Sequence, residues 1–79
     1  MTKEVIIEKV NGILTNEFEI AQDKLQPNAL LIDEVGIDSL DFVDIVALLE
    51  KEFGFKPDTQ ELKKAKTLND LYDFIAKNV

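Results

Sequence analysis

Residues 33–53 read DEVGIDSLDFVDIVALLEKEF and carry the strongest pattern in the chain. Gly36 interrupts the segment before this stretch, and Asp38 is of a residue type preferred at helix N-caps. Asp41 follows three positions later, where a carboxylate can reach back to the free amides of a first turn. We therefore predict a helix that starts at about Ser39. Because Asp38 already supplies the cap, the Ser39 hydroxyl is expected to point outward.

The predicted helix is about four turns long and has two apolar sides. It ends at Phe53, because Gly54 favours a left-handed cap and Pro57 cannot continue a helix. The broad stripe, which we expect to face the core, consists of Phe42, Ile45, Val46, Leu49 and Phe53. The narrow strip on the opposite side consists of Leu40, Val43 and Ala47, among Asp44, Glu50 and Lys51. Apolar residues on both sides with acidic neighbours are typical of a helix that docks a partner.

Composition restricts the function more than the fold. Seventy-nine residues, 46% of them hydrophobic, predict a single globular domain spanning 1–79. The chain has no cysteine and no histidine, which removes disulfides, thiol catalysis, the usual zinc ligands and the commonest general base. We therefore expect no catalytic residues and no metal site, and an enzyme that acts alone is disfavoured.

The net charge of −7 indicates the kind of partner. Such a surface repels nucleic acid and attracts basic proteins, although simple solubility explains the charge equally well. No stretch has the roughly 18 to 20 consecutive apolar residues of a membrane span, and MTKEVIIEKV is not a signal-peptide core. We expect a cytoplasmic monomer with no membrane span.

The rest of the chain predicts a helical bundle. A first helix runs from Thr2 to Thr15, a short one covers 59–64, and a last one starts at Thr67 with a capping box to Asp70. The last helix has apolar residues in helical register at Leu68, Leu71, Tyr72, Ile75 and Val79. The fold class is all-α: three main antiparallel helices and one short helix form a small four-helix bundle.

The connection over 16–38 has no sustained period, and it is long for so small a domain. Its apolar residues are Phe18, Ile20, Leu25, Leu30, Leu31, Ile32, Val35 and Ile37. This is too much apolar surface to leave in water, so we expect the connection to be pinned onto the helices.

The stretch 36–41, GIDSLD, resembles acyl carrier proteins, and the likeness spans nearly the whole chain. It continues after the motif through Val43, Asp44, Leu49, Glu50, Glu52 and Phe53. In that family the serine of Asp-Ser-Leu is esterified by 4'-phosphopantetheine taken from coenzyme A, and the thiol of the arm carries acyl groups as thioesters between enzymes. The resemblance therefore implies an acyl-carrier-protein-like bundle with this covalent cofactor on Ser39. It also implies that Asp38 corresponds to the aspartate of the family that lies close to the Mg²⁺ ion of the transferase.

The same resemblance implies partner enzymes with basic docking patches. These are a phosphopantetheinyl transferase and acyl-transferring or synthase enzymes, in fatty acid or related lipid or polyketide biosynthesis. The positions that match partner contacts are Leu40, Asp41, Val43, Asp44, Ala47 and Glu50.

Several alternatives remain open at the level of the sequence. Departures from the family at Phe42, Lys51 and Lys56 leave the cargo and the partner set undecided, so a D-alanyl or peptidyl carrier fits as well. An acidic interaction domain without a prosthetic group is the rival of another class. A serine hydrolase is disfavoured because no histidine base, Ser-Lys dyad or Gly-x-Ser-x-Gly elbow is present. The carboxylates of 33–44 lack the spacing of an EF-hand loop.

Overall fold

Four α-helices form the frame of the computed structural model, which describes residues 1–79. They are α1 at Lys3–Phe18, α2 at Asp41–Phe53, α3 at Thr59–Leu62 and α4 at Leu68–Ala76. The connection between α1 and α2 contains a 3₁₀ turn at Gln22–Lys24 and a single π-helical turn at Leu31–Val35. Helix α1 packs against α4, and α2 contacts both α1 and α3. The predicted all-α bundle of three longer helices and one short helix is confirmed, and none of its helices combines the length and apolar character needed to span a bilayer.

The core is mainly aliphatic and contains no buried charged side chain. Its buried hydrophobic residues are Ile6, Val10, Leu14, Ile20, Leu25, Ala29, Leu31, Val35, Ile37, Phe42, Ile45, Leu49, Leu62, Leu68, Leu71, Tyr72 and Ile75. The predicted inner stripe of α2 is confirmed, because three of its five residues are buried and the other two, Val46 and Phe53, pack against the core. Each longer helix is therefore held by one apolar face.

Three predicted boundaries differ from the structure. Helix α1 runs one turn beyond Thr15, since no glycine or proline stops it and Phe18 packs on the core; it ends where Glu19 adopts a left-handed φ of 55°. Helix α3 stops at Leu62 rather than at residue 64, because the chain tightens into i→i+3 hydrogen bonds. Val79, predicted on the apolar stripe of α4, lies beyond the end of that helix and is exposed.

The connection between α1 and α2 is pinned to the bundle, as predicted, but two of its apolar residues are not covered. The N–H of Leu31 donates to the carbonyl of Lys66 at 2.8 Å, and the N–H of Leu68 donates to the carbonyl of Ala29 at 3.0 Å. These bonds fix the connection to the start of α4. Leu30 and Ile32, both predicted to be buried, are 38% and 55% exposed.

The start of α4 confirms the predicted capping box. The Asp70 N–H donates to Thr67 Oγ1 at 3.1 Å, while Asp70 Oδ2 accepts from the N–H groups of Thr67 at 3.1 Å and Lys66 at 3.2 Å. The backbone hydrogen bonds from Thr67 and Lys66 lower the pKa of the Asp70 carboxyl, because they favour its charged form. One carboxylate thus stabilises both the helix start and the segment to which the connection is bonded.

A partly buried polar contact joins α1 to α4 at the edge of the core. The hydroxyl of the buried Tyr72 donates to Oδ1 of Asn11. Burial raises the pKa of the Tyr72 hydroxyl, so this side chain stays neutral and remains a donor at physiological pH.

We expect Asp70→Ala to lower the free energy of unfolding at neutral pH by about 1 kcal/mol, the usual cost of a lost helix cap. The folded-state pKa of Asp70 is below its ordinary value of 3.8, so its carboxylate stabilises the fold above that pH and loses this contribution as the pH falls below it. Urea denaturation at neutral pH and at about pH 3 measures the change.

The control for this experiment is Asp23→Ala, which removes an exposed carboxylate that makes no side-chain hydrogen bond or ion pair. The loss caused by Asp70→Ala should shrink at the lower pH, and Asp23→Ala should have little effect at either. A loss that stays constant over this range would contradict a role for the charged cap.

Candidate functional site

Ser39 lies in the turn directly before α2 and is exposed. Its Oγ lies 3.4 Å from Oδ1 of Asp38, longer than a normal O–H···O hydrogen bond. The hydroxyl is therefore held only weakly by the protein. None of the four surface cavities of the molecule is lined by Ser39 or by either neighbour. A reagent must reach this oxygen from open solvent.

Two carboxylates fix the backbone around Ser39. Oδ2 of Asp41 accepts from the N–H of Asp38 at 3.0 Å, and Oδ1 of Asp38 lies 3.4 Å from the N–H of Leu40. The carbonyl of Asp38 in turn accepts from the N–H of Asp41 at 2.9 Å. The part of the predicted cap made by Asp41 is confirmed. The predicted N-cap role of Asp38 is wrong, because its carboxylate reaches only the N–H of Leu40 at 3.4 Å, and Leu40, without a side-chain cap, precedes the regular helix.

The hydrogen bonds of this turn show that the regular helix starts later than predicted. The carbonyls of Asp38 and Ser39 accept from the residues three positions ahead, Asp41 and Phe42, so the first turn is of the 3₁₀ type. Regular α-helix begins at Asp41 rather than at Ser39. The serine consequently sits on a tight turn and not inside the helix barrel.

Buried residues on both sides anchor this turn to the core. Gly36 has a φ of 93°, a left-handed value that favours glycine, and it closes the π-helical turn. The N–H of Ile37 then donates to the carbonyl of Leu31 at 2.9 Å, and the side chain of Ile37 is buried. Phe42 is buried on the other side. The exposed segment 38–41 is thus held between the core side chains of Ile37 and Phe42. In the sequence, the spacing of the apolar residues Leu31 and Ile37 is the signal for the first of these anchors.

The outer surface of α2 contains the residues predicted to meet a partner. Leu40 is 78% exposed, the highest value among the large hydrophobic residues of the chain, and Val43 is 63% exposed. Asp44, Ala47 and Glu50 are exposed beside them. This arrangement, an apolar pair with acidic neighbours, is a feature of protein interfaces.

Two acidic residues of α2 make contacts within the protein, and the sequence predicts the contact of Asp41 but not that of Glu52. Asp41, predicted to contact a partner, is half-buried and bonded to the backbone of Asp38. Glu52 forms an ion pair with Lys9 of α1 at 2.9 Å. The freely exposed acids of this surface are therefore Asp44 and Glu50.

The chemistry available at Ser39 is that of an acceptor. The only titratable side chain within hydrogen-bond distance of its Oγ is the exposed carboxylate of Asp38. A serine nucleophile needs an adjacent base such as histidine or lysine, so activation must come from another molecule. No group of three or more carboxylates is arranged to hold a metal ion. An exposed hydroxyl on an anchored turn is well suited to covalent attachment of a group supplied from outside.

Comparison with known proteins identifies the family of the chain. Residues 8–75 match the family model described as a phosphopantetheine attachment site. The chain is 37% identical over 78 residues to an acyl carrier protein of Thermotoga maritima, with 99% of this chain and 96% of the relative covered. It is 35% identical to an acyl carrier protein of Thermosynechococcus vestitus, covering 100% and 98%. It is 43% identical to the acyl carrier protein AcpXL of Mesorhizobium japonicum, covering 91% and 81%.

We expect Asp41→Ala to loosen the turn that carries Ser39. The change leaves the N–H of Asp38 without its acceptor, so its amide hydrogen should exchange faster with solvent and the free energy of unfolding should fall by about 0.5 to 1.5 kcal/mol. Amide exchange followed by NMR, together with urea denaturation, measures both effects.

Asp44→Ala is the matched control, because it removes the same charge from the same helix and Asp44 makes no side-chain hydrogen bond or ion pair. It should change the stability by less than about 0.5 kcal/mol. Equal exchange rates at Asp38 in the two variants would argue against the cap that Asp41 forms.

Proposed function

Because this chain belongs to the phosphopantetheine-attachment family that includes the acyl carrier proteins, we propose that Ser39 bears its 4'-phosphopantetheine group. The chain functions as an acyl carrier protein, and proteins of this family carry acyl groups rather than transform them. The observation that supports Ser39 is its exposed, weakly bonded hydroxyl on the anchored turn before α2. It is also the only serine in the chain.

The residues around Ser39 fit this group. The attached arm supplies a thiol that holds acyl groups as thioesters. Attachment requires Ser39 Oγ to lose its proton and to bond to the phosphorus that carries the pantetheine, as the pyrophosphate bond of coenzyme A breaks and adenosine 3',5'-bisphosphate leaves. The base must come from the transferase, because the only titratable neighbour of Oγ in this chain is Asp38.

We assign Asp38 a positioning role in that attachment. Its carboxylate lies beside Ser39 Oγ and is exposed, so a divalent cation on the transferase can approach both groups together. The start of a helix favours phosphate through its free amides and its dipole, whereas the carboxylates of Asp38 and Asp41 oppose an anion there. A cation between the carboxylates and the phosphate removes this conflict.

We propose the outer surface of α2 as the docking site for partner enzymes. Leu40 and Val43 provide exposed apolar contact, and Asp44 and Glu50 provide charge that is complementary to a basic patch. Ala47 lies between Asp44 and Glu50 along the helix, and its small side chain leaves room for a side chain of the partner. Asp41 belongs to the same surface, but its hydrogen bond to Asp38 limits its freedom to rearrange.

The cargo that we propose is a fatty acyl or related lipid or polyketide intermediate, carried by a single domain that spans 1–79. A D-alanyl or peptidyl carrier uses the same attachment chemistry and differs only in the group on the thiol. The alternative that is not a carrier is an acidic interaction domain without a prosthetic group. The net charge of −7 is compatible with this alternative as well as with a carrier. Modification of the chain by a transferase separates a carrier from that interaction domain.

Incubation with coenzyme A, Mg²⁺ and a phosphopantetheinyl transferase should increase the intact mass of the chain by one phosphopantetheine group. Ser39→Ala should abolish this increase, while the far-ultraviolet circular dichroism stays nearly unchanged because Asp38 and Asp41 keep the turn capped.

Thr59→Ala is the control for hydroxyl loss elsewhere in the chain, and this variant should be modified as fully as the wild type. A mass increase that persists in Ser39→Ala would exclude Ser39 as the attachment residue. No increase in the wild type would favour the unmodified interaction domain.

Reversing the charges of the docking surface should slow association with the transferase. Asp44→Lys with Glu50→Lys changes the net charge from −7 to −3 and leaves the cap at Asp41 intact. The association rate should fall by about tenfold at low salt, and its salt dependence should flatten. Stopped-flow measurements over a salt series test this.

The control carries Glu4→Lys with Glu8→Lys, which gives the same net charge on the exposed side of α1, where neither residue forms an ion pair. Its rate should remain close to that of the wild type. Equal slowing in both double variants would show that net charge alone determines the rate, against a docking site on α2.

A further inference from the structure

Glu34 is an exposed acidic residue of the π-helical turn, and the proposed function gives it no role. Its Oε1 accepts from the N–H of Leu30 at 3.0 Å. Leu30 precedes the turn, and its apolar side chain provides no cap. The neighbouring Asp33 is exposed as well, but it makes no side-chain hydrogen bond or ion pair. Of the two acids in this turn, only Glu34 is therefore bonded to the backbone.

Glu34 closes the first half of the π-helical turn onto a single residue. Its side chain accepts from the N–H of Leu30, and its own N–H donates to the carbonyl of Leu30 at 2.9 Å. The N–H of Val35 donates to the same carbonyl at 2.8 Å. A carboxylate that returns to the amide at the start of its own turn acts as a helix cap does, because it satisfies a donor that the turn leaves free.

The second half of the π-helical turn leads to Ser39. The carbonyl of Leu31 accepts from the N–H groups of Gly36 and Ile37, the latter at 2.9 Å. Ile37 is buried, and Ser39 follows two residues later on the 3₁₀ turn. The direction in which the chain leaves the π-helical turn therefore determines where the serine lies.

We infer that Glu34 is a positioning residue for attachment at Ser39, an inference that rests on the proposed function. Its carboxylate makes no hydrogen bond with Ser39 and acts through the backbone, because a closed turn keeps Ile37 seated in the core. Attachment requires Ser39 Oγ to lie in line with the phosphorus–oxygen bond that breaks. A small misplacement of a reacting atom slows such a step strongly.

Contact with a partner enzyme is the other role that an exposed carboxylate can have, and the two roles use different properties of the side chain. A docking contact uses the negative charge, whereas the cap uses an oxygen within reach of the Leu30 N–H. Glu34→Gln removes the charge and keeps this oxygen, and Glu34→Ala removes both. Asp33→Ala is the matched control, because it removes a charge from the same turn without removing a hydrogen bond. All three variants have a net charge of −6 (−7 + 1).

The test measures kcat and KM of a phosphopantetheinyl transferase for the unmodified full chain, with coenzyme A and Mg²⁺ at saturation and the gain in intact mass as the signal. Glu34→Ala should lower kcat by about three- to tenfold, as expected for the loss of one hydrogen bond that holds the turn. Its KM should change by less than about twofold, because the docking surface of α2 is intact. Glu34→Gln and Asp33→Ala should both stay within about twofold of the wild type in kcat.

Amide exchange followed by NMR on the same proteins gives a second readout. In Glu34→Ala the amide hydrogens of Leu30, Ile37 and Asp38 should exchange about threefold faster or more, and in Glu34→Gln they should exchange as in the wild type. Far-ultraviolet circular dichroism at the assay temperature checks that each variant is folded.

Four outcomes would overturn the positioning role while the wild type is modified. They are an unchanged kcat in Glu34→Ala, a rise in its KM at constant kcat, an equal loss in Glu34→Gln, and faster exchange that is confined to Leu30. The second and third would assign the charge of Glu34 to partner contact. No gain in mass in the wild type would instead refute the proposed function itself, and with it this inference.

Discussion

Six of the seventeen buried hydrophobic side chains come from the connection between α1 and α2, so this connection belongs to the core. Burying one such side chain contributes roughly 1.5 to 3 kcal/mol for the larger aliphatic residues, so this burial favours the ordered connection. A chain of 79 residues has little other apolar surface with which to complete a core. The position of Ser39 depends on this burial, because Ile37 anchors the turn only when the connection before it is packed.

The features that could be predicted from the sequence are those set by neighbouring residues. The hydrogen bond from the Asp38 N–H to Asp41, the left-handed cap at Gly54 and the capping box of α4 each depend on a few consecutive residues, and all three are present. The inner face of α2 also follows from local periodicity. Ser39 and its two acidic neighbours, the centre of the candidate site, can therefore be located from the order of the residues alone.

The features that could not be predicted depend on contacts between distant parts of the chain. Leu30 and Ile32 are directed outward because the backbone of Leu31 is bonded to Lys66, more than thirty residues away. The half-burial of Asp41 and the ion pair of Glu52 with Lys9 likewise depend on how the helices meet. Composition shows that the connection must be buried, but it does not show which of its side chains remain outside.

Tyr72, whose hydroxyl contacts Asn11, is an intrinsic spectroscopic probe of this protein. The chain contains no tryptophan and a single tyrosine, and this tyrosine is buried where α4 meets α1. Its near-ultraviolet absorbance and fluorescence therefore report on one interface, without a second tyrosine or a tryptophan in the background. Since Ser39 and both exposed apolar pairs belong to other elements, a change in that signal separates global loosening of the bundle from events on its surface.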